Sequence, residues 1–222
     1  MEKIAAILIF VLGCVCKCFS QDRAVRQLPA NTPQVTYVGR TITNASNDVT
    51  FDWVGTYFEF KLTGQSVAMR ASDTGESYYN VFVDGRLEKT FLINSRDTVI
   101  TIVSNLKGNK AYHVRVQKRS EGEFGCTTIK GFMLGNKSLL DGVVSRPARF
   151  IEFIGDSFTV GYGADGTNRE QDFSVETENA DKTYACILAR YFQTDYALIA
   201  HSGRGAARNY GDTLTSSRYT MK

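Results

Sequence analysis

The sequence predicts two regions of unlike class: an all-β sandwich or jelly roll, then the N-terminal part of an α/β domain with a parallel sheet. Three observations carry this. Short stretches of period-two alternation, separated by turn residues, run from Thr36 to about Leu134. After Pro147 the order changes to strand, loop, helix, strand. The first of those later strands runs straight into Gly155-Asp156-Ser157. That places a serine hydroxyl at a strand's carboxyl end, where open α/β sheets hold their sites.

The composition is that of a folded globular chain. Of 222 residues, 43% are hydrophobic and only 3 are proline, which excludes collagen-like, coiled-coil and mostly disordered chains. The 26 Lys and Arg against 23 Asp and Glu leave +3, with no basic run. Nothing electrostatic therefore points to nucleic acid as a partner.

Residues 1–20 read as a signal peptide. A charged start, Met1-Glu2-Lys3, precedes the apolar run Ile4 to Gly13, far short of the roughly 20 apolar residues of a membrane span. Small residues at Cys18 and Ser20 suit the −3 and −1 positions, which places cleavage after Ser20 and predicts an exported chain, periplasmic, surface-bound or secreted. The alternative is a lipid anchor at Cys14, with Val11-Leu12-Gly13-Cys14 as a lipidation box that Leu12 fits poorly. Removing this segment leaves two cysteines, Cys126 and Cys186, which are too few for a disulfide framework and carry no CxxC zinc pattern. Whether they pair is left open, as is the oligomeric state.

The sandwich is expected over residues 31–145. Asp48 to Leu62 alternates, with Phe58, Phe60 and Leu62 on one face and Glu59 and Lys61 on the other. Further strands are expected at Ser66–Ala71, Tyr78–Val83, Thr98–Val103 and Ala111–Gln117. Asp84-Gly85 between two strand-like runs marks a hairpin, because both turn positions need positive φ. Trp53, Tyr57, Tyr78 and Tyr79 are candidate platforms for a sugar ring, although strand aromatics more often fill a core. His113 lies inside an alternating strand and reads as a strand residue, not a base.

In the second region, residues 149–222, Arg149–Ile154 reads as a short, mainly apolar buried strand. A serine opening the next helix also offers its backbone N–H to a developing oxyanion. Asp181–Gln193 has helical periodicity, with Tyr184, Ile187, Leu188 and Tyr191 on one face and Asn179 or Asp181 as cap. Asp195–Ala200 reads as a second buried strand, closed by His201-Ser202-Gly203-Arg204-Gly205, so the two strands should be parallel.

At these residues the chain resembles a known group. Ile151-Glu152-Phe153-Ile154-Gly155-Asp156-Ser157 with Gly161-Tyr162-Gly163 is similar to the first block of the SGNH (GDSL) hydrolases. Ser202-Gly203-Arg204-Gly205 with Arg208-Asn209-Tyr210-Gly211 is similar to the second. The best match is carbohydrate esterase family 2, whose members carry a jelly roll before the hydrolase domain. Phe51-Asp52-Trp53-Val54-Gly55-Thr56 and Val83-Asp84-Gly85 also resemble that family's first domain, with Val54 where proline is expected.

The resemblance implies a flavodoxin-like three-layer α/β hydrolase domain and a serine esterase that removes acetyl groups from plant polysaccharides such as acetylated xylan or mannan. It implies Ser157 as nucleophile and the backbone N–H groups of Ser157 and Gly203 as oxyanion donors, with Gly155, Asp156 and Asn209 in support. No metal and no organic cofactor is implied, and the partner is an acetylated carbohydrate. The family's later asparagine donor and its late histidine base have no match before Lys222. His201 reads as a chance histidine, not a replacement base. The expectation is the N-terminal part of a longer esterase, inactive alone. Two alternatives stand: a non-catalytic carbohydrate-binding jelly roll, or another GDSL activity such as a lipase or thioesterase. The polar, acidic loop Ala164–Glu178 favours a hydroxyl-rich substrate over an acyl chain.

Overall fold

The computed structural model describes residues 25–213, so the expected signal segment and Cys14 lie outside the described residues. Among the described residues there are fourteen strands: β1 (Arg26–Leu28), β2 (Thr36–Val38), β3 (Ile42–Thr43), β4 (Val49–Phe51), β5 (Tyr57–Thr63), β6 (Val67–Asp73), β7 (Ser77–Val83), β8 (Arg86–Ile93), β9 (Thr98–Val103), β10 (Ala111–Lys118), β11 (Thr127–Leu134), β12 (Leu139–Leu140), β13 (Phe150–Gly155) and β14 (Asp195–Ala200). Two helices, α1 (Ser157–Val160) and α2 (Tyr184–Phe192), lie between the last two strands.

The first twelve strands form two antiparallel six-stranded sheets. One runs β3-β4-β11-β6-β9 with β1 beside β11; the other runs β12-β5-β10-β7-β8 with β2 beside β5. Their inward faces meet in one core. Phe58, Phe60 and Leu62 of β5 are fully buried, as the alternation required, and pack with Met69, Tyr79 and Phe132. Phe58 and Phe60 both meet the Phe132 ring edge-on, at 5.7 and 6.0 Å, which adds directional stabilisation to the area buried. The hairpin between β7 and β8 turns at Asp84 (φ 49°) and Gly85 (φ 78°), the two positive values that Asp-Gly implied.

Beyond the sandwich, β13 and β14 pair in parallel, in register from Phe150 opposite Asp195 to Gly155 opposite Ala200. The expected order of strand, loop, helix and strand is present. Two local expectations need correction. The helix is interrupted: Asn179 caps a 3-10 turn at Ala180–Lys182, and α2 starts only after Thr183. Its predicted apolar face also points outward. Tyr184, Ile187, Leu188 and Tyr191 are 47%, 50%, 39% and 79% exposed, while Ala185, Cys186 and Ala189 are buried.

The inversion has a steric cause. The inner side of α2 faces a cluster already filled by the rings of Tyr57 and Tyr196, 5.3 Å apart, which leaves room only for small side chains. Likewise β13 is not buried on both faces: Phe150 is 49% and Ile154 59% exposed, whereas β14 is almost wholly covered.

That second cluster joins sandwich to βαβ unit. Val38, Val54 and Tyr57 pack against Val160, Ala185, Cys186, Tyr196 and Leu198. Tyr57 and Tyr79 are therefore core residues, not sugar platforms. Trp53 is partly buried, with the Arg40 guanidinium 5.2 Å over its ring. Cys126 and Cys186 are free thiols; burial pushes Cys186 up to about 11, so it is inert at neutral pH.

Candidate active site

Parallel pairing brings the carboxyl ends of β13 and β14 side by side, so the loops that leave them meet at one edge. Between those loops lies a cleft of about 580 Å³, lined by Asp156, Ser157, Tyr162, Gly203, Arg208 and Tyr210 among others. The two sequence blocks thus form one site.

Each residue around Ser157 has a local reason. At Gly155 any Cβ would run into the Thr159 side chain, so the strand end must be glycine. Asp156 caps α1: its Oδ1 accepts the Phe158 N–H at 3.1 Å, and its carbonyl accepts Thr159 and Val160. That bond orders the turn. Gly161 ends α1 in the left-handed region at φ 85°, with its Cα against the Asn179 carbonyl. The helix that the serine opens is a single turn, so the individual N–H groups, not a macrodipole, face the cleft.

The second loop is closed by its own bonds. Tyr210 N–H donates to the Gly203 carbonyl at 2.8 Å, and Asn209 Oδ1 accepts Gly205 N–H at 3.2 Å. Among the described residues, the N–H groups of Ser157 and Gly203 donate to no protein acceptor. Both residues line the cleft.

Neither described histidine reaches Ser157. His113 sits on β10 with Nε2 2.9 Å from Glu59 of β5, a strand-to-strand contact. His201 turns toward the sandwich, with Nδ1 3.6 Å from Glu121 Oε2 and Nε2 3.7 Å from Glu123 Oε2. Ligand atoms of Glu121, Glu123 and His201 all lie within 4.8 Å of one another, the one grouping among the described residues with metal-ligand chemistry. One of its oxygens, Glu121 Oε2, already accepts the Ser202 N–H.

Sequence reasoning missed the polar layer beneath the site. Arg119, at the end of β10, donates to the carbonyls of Glu178 and Glu176 at 2.7 and 2.8 Å and pairs with Asp165. Glu178 Oε2 accepts the Glu121 N–H at 3.0 Å. Burial, with the Glu121 charge second, pushes the Glu178 carboxyl up to about 8. Lys118, also buried, reaches Ser77 Oγ, the Ser120 carbonyl and the Glu121 carbonyl, and burial holds its ammonium down to about 8. A second unforeseen feature is an aromatic column: Tyr162 stacks on Phe173 at 3.7 Å, and Phe173 lies 5.6 Å from Phe124 of the sandwich. The only cue to either was the dense run Gln117-Lys118-Arg119-Ser120-Glu121-Gly122-Glu123-Phe124, which has no periodicity to read.

The structure thus sets a β-sandwich against a βαβ unit, with Ser157 after the first parallel strand and Gly203 after the second. Residues 37–141 match the family model Carbohydrate esterase 2 N-terminal, so the chain carries that family's N-terminal domain. It is 34% identical over 182 residues to the cellulase/esterase CelE of Acetivibrio thermocellus, covering 82% of this chain and 22% of that protein. It is 32% identical over 193 residues to the acetylxylan esterase / glucomannan deacetylase of Cellvibrio japonicus, covering 86% of this chain and 49% of that one. Among solved structures it is similar to a family two carbohydrate esterase from Clostridium thermocellum in complex with cellohexaose. The TM-score there is 0.77 at 33% identity, over 81% of this chain and 55% of that one. The chain thus spans a half or less of the curated relatives' length.

Proposed function

We propose that this chain carries the nucleophile and two oxyanion donors of a serine esterase that removes acetyl groups from a polysaccharide or oligosaccharide. The observation that carries it is the cleft in which Ser157 and Gly203 stand together, each with an N–H that no acceptor among the described residues takes. Ser157 Oγ attacks the acetyl carbonyl, the carbonyl oxygen becomes an oxyanion against the two N–H groups, and the sugar hydroxyl leaves. Water then releases acetate from the acyl-serine. Removing one such donor typically costs about 10²–10³ in kcat.

The base for this step is a histidine other than His113 and His201, since both are committed to carboxylates elsewhere. The substrate class follows from the relatives, named as acetylxylan esterase and glucomannan deacetylase or solved with cellohexaose. Exposed, hydroxyl-compatible residues 166–172 beside the site support a sugar over an acyl chain. A substrate of that kind lies outside the cell, in keeping with the export expected from residues 1–20. The test is acetate release from acetylated xylan and glucomannan by the whole gene product, with Ser157→Ala as control. Release that the variant retains removes Ser157 from the role.

A further inference from the structure

We propose that Glu121, on the sandwich loop between β10 and β11, is a positioning residue for the Gly203 N–H; this rests on the esterase reading of the same cleft. Its carboxylate oxygen Oε2 accepts the Ser202 N–H at 2.8 Å across the junction, 81 residues away in sequence. Glu121 is 1% exposed. A buried carboxylate is costly unless its bonds compensate, so its presence needs a reason that an apolar residue would not meet.

The reason is backbone direction. Ser202 N–H donates toward the sandwich, where without Glu121 it would be a part-buried donor lacking that acceptor. Gly203 follows with φ 75°, so fixing the Ser202 amide on one side and the Gly203 carbonyl on the other aims the Gly203 N–H between them. The second anchor is the 2.8 Å bond from Tyr210 N–H. Glu121 is itself held at both backbone ends, its N–H by Glu178 Oε2 at 3.0 Å and its carbonyl by Lys118 Nζ at 3.4 Å. An anchored anion accepting an amide proton makes a shorter and stronger bond than a neutral acceptor would. The sandwich in this reading braces the second loop of the cleft from behind and is not a separate tethered module.

Amide hydrogen exchange and amide proton shifts of the ¹⁵N-labelled chain test this without any turnover. In Glu121→Ala, exchange at Ser202 should accelerate at least tenfold and the Gly203 amide resonance should shift, while core amides such as Phe60 and Met69 keep their wild-type rates. In Glu121→Gln, which keeps an oxygen acceptor but loses its charge, the Ser202 amide should stay protected and its proton should move upfield. Wild-type exchange at Ser202, or an unmoved Gly203 amide resonance, in a folded Glu121→Ala overturns the proposal. Should that variant fail to fold, an unmoved Ser202 amide proton in Glu121→Gln overturns it equally. The esterase reading fails on a different observation, acetate release that survives Ser157→Ala, so the two failures are distinguishable.

Discussion

The Tyr57 hydroxyl donates to Asp195 Oδ1 at 2.8 Å, which ties the first residue of a sandwich strand to the first residue of β14, 138 positions on. Arg146 Nε holds the other carboxylate oxygen at 2.6 Å. Asp195 is buried, so its two oxygens rely on these partners for hydrogen bonds. Tyr57→Phe should therefore lower stability by about 1–3 kcal/mol, the cost of leaving a buried acceptor short of one bond. Urea denaturation checks this, and a variant as stable as wild type would show the bond to be idle.

The sandwich core should be the most sensitive part of the molecule. Phe60 is fully buried against Phe58 and Phe132, and Phe60→Ala should cost about 3–5 kcal/mol through lost transfer energy and a cavity. A loss under 1 kcal/mol in the same urea titration would contradict this packing.

Stability should pass through a minimum near pH 8. Glu178 has its carboxyl raised to about 8, so between pH 4.5 and 8 the unfolded chain has lost this proton and the folded chain keeps it. Stability then falls as pH rises, at up to about 1.4 kcal/mol per unit. Lys118 works in the opposite sense above that range: held down to about 8, it is neutral in the fold and charged when unfolded up to about 10.5, so stability rises with pH there. Thermal melts from pH 5 to 10 check the shape, and Glu178→Gln should flatten the falling limb. A falling limb of equal slope in that variant would assign the effect elsewhere.

The outward face of α2 should bind apolar dyes. Ile187 and Tyr191 are 50% and 79% exposed one turn apart, with Leu188 beside them. The double variant Ile187→Lys, Tyr191→Lys should reduce dye fluorescence in the native state with little change in Tm, since neither residue fills the core. Unchanged dye binding would place the exposed apolar surface elsewhere.

The 222-residue chain should show negligible turnover of p-nitrophenyl acetate. A serine without a base is a poor nucleophile at neutral pH, and both histidines of the sequence are engaged away from Ser157. Ordinary esterase rates would mean that a group other than these histidines activates the serine.

How much was legible followed from how local each signal is. Alternation at Phe58, Phe60 and Leu62 and the Asp84-Gly85 turn depend on near neighbours, and the structure has them as read. The strand-to-serine junction was legible for the same reason: Gly155, Asp156 and Gly161 answer to steric and capping demands within one turn. The helix was legible as a helix, but its buried side was not. Periodicity assigns the large residues inward, whereas Tyr57 and Tyr196 leave space only for alanine and cysteine. The Glu121, Glu178 and Lys118 layer was invisible, because its partners are brought together by the packing of two regions and follow no spacing.

The central claim, that Ser157 is the nucleophile of a carbohydrate esterase, is tested most directly by acetate release from acetylated xylan by the whole gene product and its Ser157→Ala variant. The account predicts release by the wild type and a loss of at least about 10⁴-fold in the variant, whose fold is unchanged. Equal release by the two proteins would contradict it.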